Sequence, residues 1–172
     1  MSSLFDRPMP PEYREELRQM MATPPPKPAP RTGSLLLFQL GPLKLALGTK
    51  VASAVSPVLH IARIPHRSGT VLLGLVAFRG DIVPCCSLAR LLDVTQNETG
   101  AARMLMLEEG PGRLWAVPID AVLGIRLAPE EFAKGEAPIA GHWLSGSFED
   151  GGSVFHLLDR ENLFRQITLA TA

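Results

Sequence analysis

The stretch Gly74-Leu-Val-Ala-Phe-Arg79-Gly80-Asp-Ile-Val-Pro84-Cys-Cys-Ser-Leu88 sets the grammar of the chain. Two short apolar runs, Leu72 to Phe78 and Asp81 to Cys86, flank Arg79-Gly80. A two-residue connection between such runs predicts a tight hairpin, because a glycine tolerates the positive φ that the tip requires. Leu73, Leu75, Phe78 and Ile82 are expected on its apolar faces. Ser87 is placed to N-cap a short helix through Leu92. Neighbouring strand residues point to opposite faces, so Cys85 and Cys86 cannot readily share a metal. Both read as small apolar residues of a buried strand.

The same grammar extends outward. Ser34 to Leu40 and Leu43, Leu45 and Leu47 make a hairpin around Gly41-Pro42, and Ala52 to Val58 adds a strand that stops near Pro57. In the second half, Met104 to Glu108 and Leu114 to Val117 pair across Gly110-Pro111-Gly112. Val122 to Leu127 is a strand, and Trp143 to Phe148 pairs with Ser153 to His156. Asp159 caps a last short helix, with Leu158 and Leu163 as a hydrophobic staple. Each half reads hairpin, strand, hairpin, short helix. Five strands per half with frequent turns predict a mainly β protein of two small five-stranded barrels, since closure removes exposed edges. Residues 93–101 look like the joint, so that residues 33–168 form the folded body.

Residues 1–32 differ. Half of the sixteen prolines fall in the first thirty residues. Pro24 to Pro30 is expected to be an extended, semi-rigid spacer or a docking site for a proline-binding domain. Ahead of it, Pro11 to Ala22 is a helix candidate with Tyr13, Leu17, Met20 and Met21 on one face. Such a helix is marginal alone and needs a body or a partner.

Composition narrows the function classes. Seventeen basic residues balance seventeen acidic ones, so no positive field gathers phosphates and nucleic-acid binding loses its driver. The most apolar stretch, Ser34 to Gly48, is broken and too short to span a bilayer. No export signal is visible, and two adjacent cysteines make no disulfide framework, so a cytoplasmic protein with reduced thiols is expected. His60, His66, His142 and His156 lack metal-ligand spacing, and no glycine-rich phosphate loop precedes a helix. No enzymatic activity, cofactor or metal is expected. Arg79-Gly80-Asp81 spells a cell-adhesion tripeptide by chance.

The segment Gly74 to Leu88 resembles the signature of CheW-like domains, the scaffold adaptors of bacterial chemosensory arrays. The matching features are Gly74, Arg79-Gly80, Ile82, Val83-Pro84 and Ser87-Leu88. The Leu35 to Leu47 hairpin, Val51, the run Ala116-Val-Pro-Ile-Asp120-Ala-Val122, the strand Trp143 to Gly146 and the closing Leu157 to Leu163 are also similar. The resemblance covers about Ser34 to Phe164.

It implies two intertwined SH3-like β-barrels around a shared core, with no catalysis and no cofactor. It also implies a bridge between the cytoplasmic tip of a chemoreceptor (a methyl-accepting chemotaxis protein) and the regulatory domain of a CheA-type histidine kinase. The interface residues carried over are Arg79, Gly80, Val51, Gly74, Asp120 and Val122. An exposed arginine on a hairpin tip has the planar fork to grip a carboxylate, or it pairs locally with Asp81. The chain departs from the family at Ser87, usually aspartate, and at Ser53 and Gly124, often acidic. The arm of residues 1–32 has no counterpart in the minimal adaptor. A stand-alone barrel module acting through the N-terminal helix therefore stays open as a second reading.

Overall fold

The structure is a computed structural model that describes residues 33–65, 71–95, 101–133 and 143–171. The expected N-terminal helix and proline-rich arm, and residues 96–100 of the expected joint at 93–101, lie outside the described residues.

Among the described residues ten strands form two mixed, mostly antiparallel sheets. Their order along the chain is β1 (Ser34–Leu40), β2 (Leu43–Gly48), β3 (Ala52–Pro57), β4 (Leu72–Phe78), β5 (Asp81–Cys86), helix α1 (Leu88–Leu91), β6 (Arg103–Gly110), β7 (Arg113–Ile119), β8 (Ala121–Leu127), β9 (Leu144–Asp150), β10 (Ser153–Leu158) and helix α2 (Arg160–Thr171). Ser87 Oγ accepts the N–H of Arg90 at the start of α1, and Asp159 Oδ1 accepts that of Asn162 at the start of α2. Leu158 and Leu163 both enter the core beside that cap, as a staple does. Helix α2 runs beyond the expected end near residue 168, to Thr171, because no glycine or proline interrupts Gln166 to Thr171.

The strands are not shared out half by half. One sheet has the order β8-β1-β2-β10-β9 and the other β3-β6-β7-β5-β4. Each half thus lends its first hairpin to the other half's sheet. Exchanging each strand with the one five places along the chain, β1 with β6 through β5 with β10, maps one order onto the other. The pattern repeat in the sequence is therefore a structural repeat, with the opening hairpins swapped. Two parallel contacts stitch the swap together, Cys85 with Ala116 and Leu157 with Ala46. This corrects the expectation of one barrel per half.

Neither sheet closes by a continuous ladder, which corrects the expectation of closed barrels. Edge strands β3 and β8 run into Pro57 and, two residues beyond Leu127, Pro129, and proline cannot donate to a ladder. Each open side is crossed instead by one isolated bridge. Ala62, downstream of β3, exchanges two backbone hydrogen bonds with Leu75 of β4, and Ala133, downstream of β8, does the same with Ser147 of β9. An exposed ion pair between Arg126 of β8 and Asp150 of β9, at 3.1 Å, also spans the gap in the first sheet.

Three apolar clusters follow from this arrangement. Phe155 and Leu37 lie in a small core within the first sheet, and Val76, Val83, Cys85 and Met106 in a counterpart within the second. The largest cluster joins outer faces of both sheets, including Phe38, Leu45, Leu107 and Val117, with Leu88, Leu163 and Ile167 of the helices. Because the hairpins are exchanged, unfolding either sheet strips residues of both halves from this shared core.

Candidate functional site

The β4–β5 hairpin presents Arg79 at its tip. Phe78 pairs with Asp81, leaving Arg79-Gly80 as a two-residue turn. Both have positive φ, 53° and 92°, as a type I′ turn demands. The arginine holds a conformation that costs a non-glycine residue roughly 1 kcal/mol. Asparagine or glycine would fill this position without that strain, so the turn alone does not account for an arginine. Its guanidinium lies 5.0 Å from the centroid of the Phe78 ring. Asp81 does not pair with it: among the described residues Arg79 has no hydrogen bond or ion pair to a carboxylate. The exposed fork is stacked on a ring and keeps its N–H donors for a partner.

Gly80 is exposed beside it, and Val122 is 37% exposed on β8 of the other sheet. The remaining candidates are placed differently. Val51 is 5% exposed within the shared core, and its carbonyl accepts the N–H of Glu108. Gly74 is buried with φ of 146°, facing the Ala62 bridge. Asp120 is half-buried, and its Oδ2 accepts the N–H of Gly41 at the β1–β2 tip. Each of these three acts on packing or backbone in its own part of the fold.

Ile82 is 73% exposed, against the expectation that it lies on the apolar face. Its strand meets β7 only at Cys85, so the beginning of β5 splays away and Ile82 stands free beside Arg79. Exposed aliphatic residues also run along β8: Leu123, Ile125 at 59% and Leu127 at 74%. An edge strand with apolar side chains in solvent is a surface of the kind partners cover. The signal was present in the sequence as Val122-Leu-Gly-Ile, a run without the polar alternation of a half-solvated strand.

Cys85 and Cys86 are fully buried, on opposite faces, in different clusters. Burial pushes the Cys85 thiol up to about 12 and raises Cys86 further, the latter also through its neighbour, so neither supplies a thiolate at neutral pH. Among the described residues no group of three or more His, Cys, Asp or Glu side chains is placed to hold a metal ion. Among the same residues no helix is long and apolar enough to cross a membrane.

A family model for the CheW-like domain matches residues 34–168. Among solved structures, the scaffolding protein TtCheW from Thermoanaerobacter tengcongensis is similar in fold, with a TM-score of 0.64 at 17% identity over 74% of this chain and 89% of that one. No curated protein matches the chain.

Proposed function

The chain belongs to the CheW-like domain family, and from that membership we propose that it is a non-catalytic cytoplasmic adaptor of a bacterial chemosensory array. In this proposal it couples the cytoplasmic tip of a chemoreceptor to the regulatory domain of a CheA-type histidine kinase. The observation that carries the proposal is Arg79: exposed, strained, and without a carboxylate partner on its own hairpin. A charge-assisted, bidentate contact from this fork to a receptor carboxylate would be desolvated on binding, and Gly80 lets a partner approach the turn closely. The aliphatic row on β8 supplies the apolar component that a helical receptor tip needs. Val51, Gly74 and Asp120 serve as supports of this surface.

The experiment is reconstitution. Purified chain is titrated with a receptor cytoplasmic fragment and with the kinase regulatory domain, and ternary assembly is followed by sedimentation or calorimetry. Saturable binding to both supports the adaptor. Absence of binding to either overturns it.

A further inference from the structure

The Arg79 guanidinium lies over the ring of Phe78, 5.0 Å from its centroid. A cation above an aromatic face is attracted by the ring quadrupole, and the planar guanidinium also stacks on it. The ring itself is anchored. Phe78 is half-buried and packs on the cluster of Val76, Val83, Cys85 and Met106 within the second sheet. Asp81 stands directly across the hairpin from Phe78. Even so, among the described residues no ion pair joins Asp81 to Arg79. The side chain of Arg79 turns to the ring and not to the acid two residues away.

The internal repeat supplies a comparison inside the same chain. Aligning the two parallel contacts, Leu157 with Ala46 and Cys85 with Ala116, places Gly151-Gly152 where Arg79-Gly80 stand and Asp150 where Phe78 stands. The two turns share one backbone geometry, with φ of 56° and 73° at Gly151 and Gly152 against 53° and 92° at Arg79 and Gly80. Both are closed by the matching strand pair, Asp150 with Ser153 and Phe78 with Asp81. At the glycine turn the position of the ring is held by a carboxylate, which takes Arg126 of its own sheet at 3.1 Å. The fold therefore makes this turn without an arginine and without an aromatic residue before it. Ring and fork occur together, at one end of the molecule.

We propose that Phe78 is a positioning residue: its ring holds the Arg79 guanidinium in place, so that the edge of the fork faces a side-chain carboxylate of the partner. The donors of a guanidinium lie in its plane, so a ring on one face leaves them free. A fork already held on an anchored ring loses less rotamer freedom on binding than one that moves freely in water. The inference rests on the reading of Arg79 as a partner contact.

The test uses the full chain and the variants Phe78→Leu and Phe78→Tyr, each made with Arg79 present and with Arg79→Ala. In the free chain the Arg79 side-chain NMR signals are expected to carry an upfield ring-current shift, kept in Phe78→Tyr and lost in Phe78→Leu. In titrations with the receptor cytoplasmic fragment, Phe78→Leu is expected to weaken binding about three- to tenfold, the range of a cation–π contact that becomes desolvated. Phe78→Tyr is expected to stay within about twofold, since tyrosine offers the same face. Once Arg79 is replaced by alanine, Phe78→Leu is expected to weaken binding by less than about twofold further, whereas its effect on the urea midpoint is nearly the same in both backgrounds. Absence of the ring-current shift in the unaltered chain, or an equal affinity loss with and without Arg79, overturns the proposal. Absence of binding by the unaltered chain overturns the adaptor reading instead. The NMR measurement needs neither partner nor variant, so it decides whether the ring holds the fork even then.

Discussion

A Cβ on Gly74 would stand 2.3 Å from the carbonyl oxygen of Ala62. The bridge that crosses the open side of the second sheet thus exists because residue 74 has no side chain. Gly74→Ala forces either the bridge apart or the backbone out of its φ of 146°, which L-residues rarely adopt. Strain of about 1–3 kcal/mol and the weakening of two backbone hydrogen bonds add to an expected loss of about 2–4 kcal/mol. Urea unfolding measures it. Gly146→Ala, at the equivalent bridge, meets the Phe132 side chain at 2.7 Å without a positive φ. The atom met is the Phe132 Cβ, which only a movement of that residue's backbone can clear, but no φ strain adds to it, so a smaller loss is expected there.

The cysteines are expected to be silent in the native state and to report on unfolding. A thiol reagent at neutral pH reacts with Cys85 and Cys86 at the rate of global opening. Each thiol is raised above its ordinary value of 9.0. Above that pH the unfolded chain releases protons that the folded chain retains, so stability falls as pH rises from about 9 toward 12. Each thiol contributes at most about 1.4 kcal/mol per pH unit to that slope. The double variant Cys85→Ala, Cys86→Val loses about 1–2 kcal/mol at neutral pH and shows a shallower alkaline slope. An identical slope in both proteins contradicts the assignment.

The aliphatic row of β8 separates folding from binding. Ile125→Ser with Leu127→Ser removes apolar surface that is already in water, so stability is expected to change by less than about 1 kcal/mol. Receptor-fragment affinity is expected to fall several-fold in calorimetric titration. Unchanged affinity removes β8 from the partner surface.

Asp120 acts through the β1–β2 tip. Asp120→Ala removes the acceptor for the Gly41 N–H and is expected to cost about 1.5–3 kcal/mol in chemical unfolding. Partner affinity at temperatures well below the transition is expected to stay close to that of the unaltered chain.

The local elements were legible because their ends are written in the residues. Arg79-Gly80 and Gly151-Gly152 mark turns, Ser87 and Asp159 mark helix starts, and the strand limits of β4 and β5 match the expected ones residue for residue. The exchange of hairpins was not legible. No local residue states whether β2 lies beside β5 or β10; packing of the shared core decides it, through long-range contacts such as Ala46 with Leu157. The exposure of Ile82 was hidden for the same reason. It depends on where β5 leaves β7, and alternation along β5 cannot state that. Within the candidate site, Arg79 and Gly80 were readable as a tip. Val51, Gly74 and Asp120 were carried over by family resemblance, and the burial of the first two and the bond of Asp120 to the Gly41 N–H depend on tertiary packing that no local residue states.

The most direct measurement is a titration of receptor cytoplasmic fragment and kinase regulatory domain against the unaltered chain, Arg79→Ala and Arg79→Lys, with thermal melts in parallel. Arg79 is exposed and, among the described residues, has no ion pair to lose, so its replacement by alanine is expected to change stability by about 0–1 kcal/mol. Losing a charge-assisted contact at a desolvated interface costs about 2–5 kcal/mol, so assembly weakens at least tenfold. Lysine, which lacks the planar fork, restores only part of it. That pattern is the predicted result. Unchanged affinity in Arg79→Ala, or an affinity loss matched by an equal loss of stability, contradicts the placement of the partner contact at this hairpin.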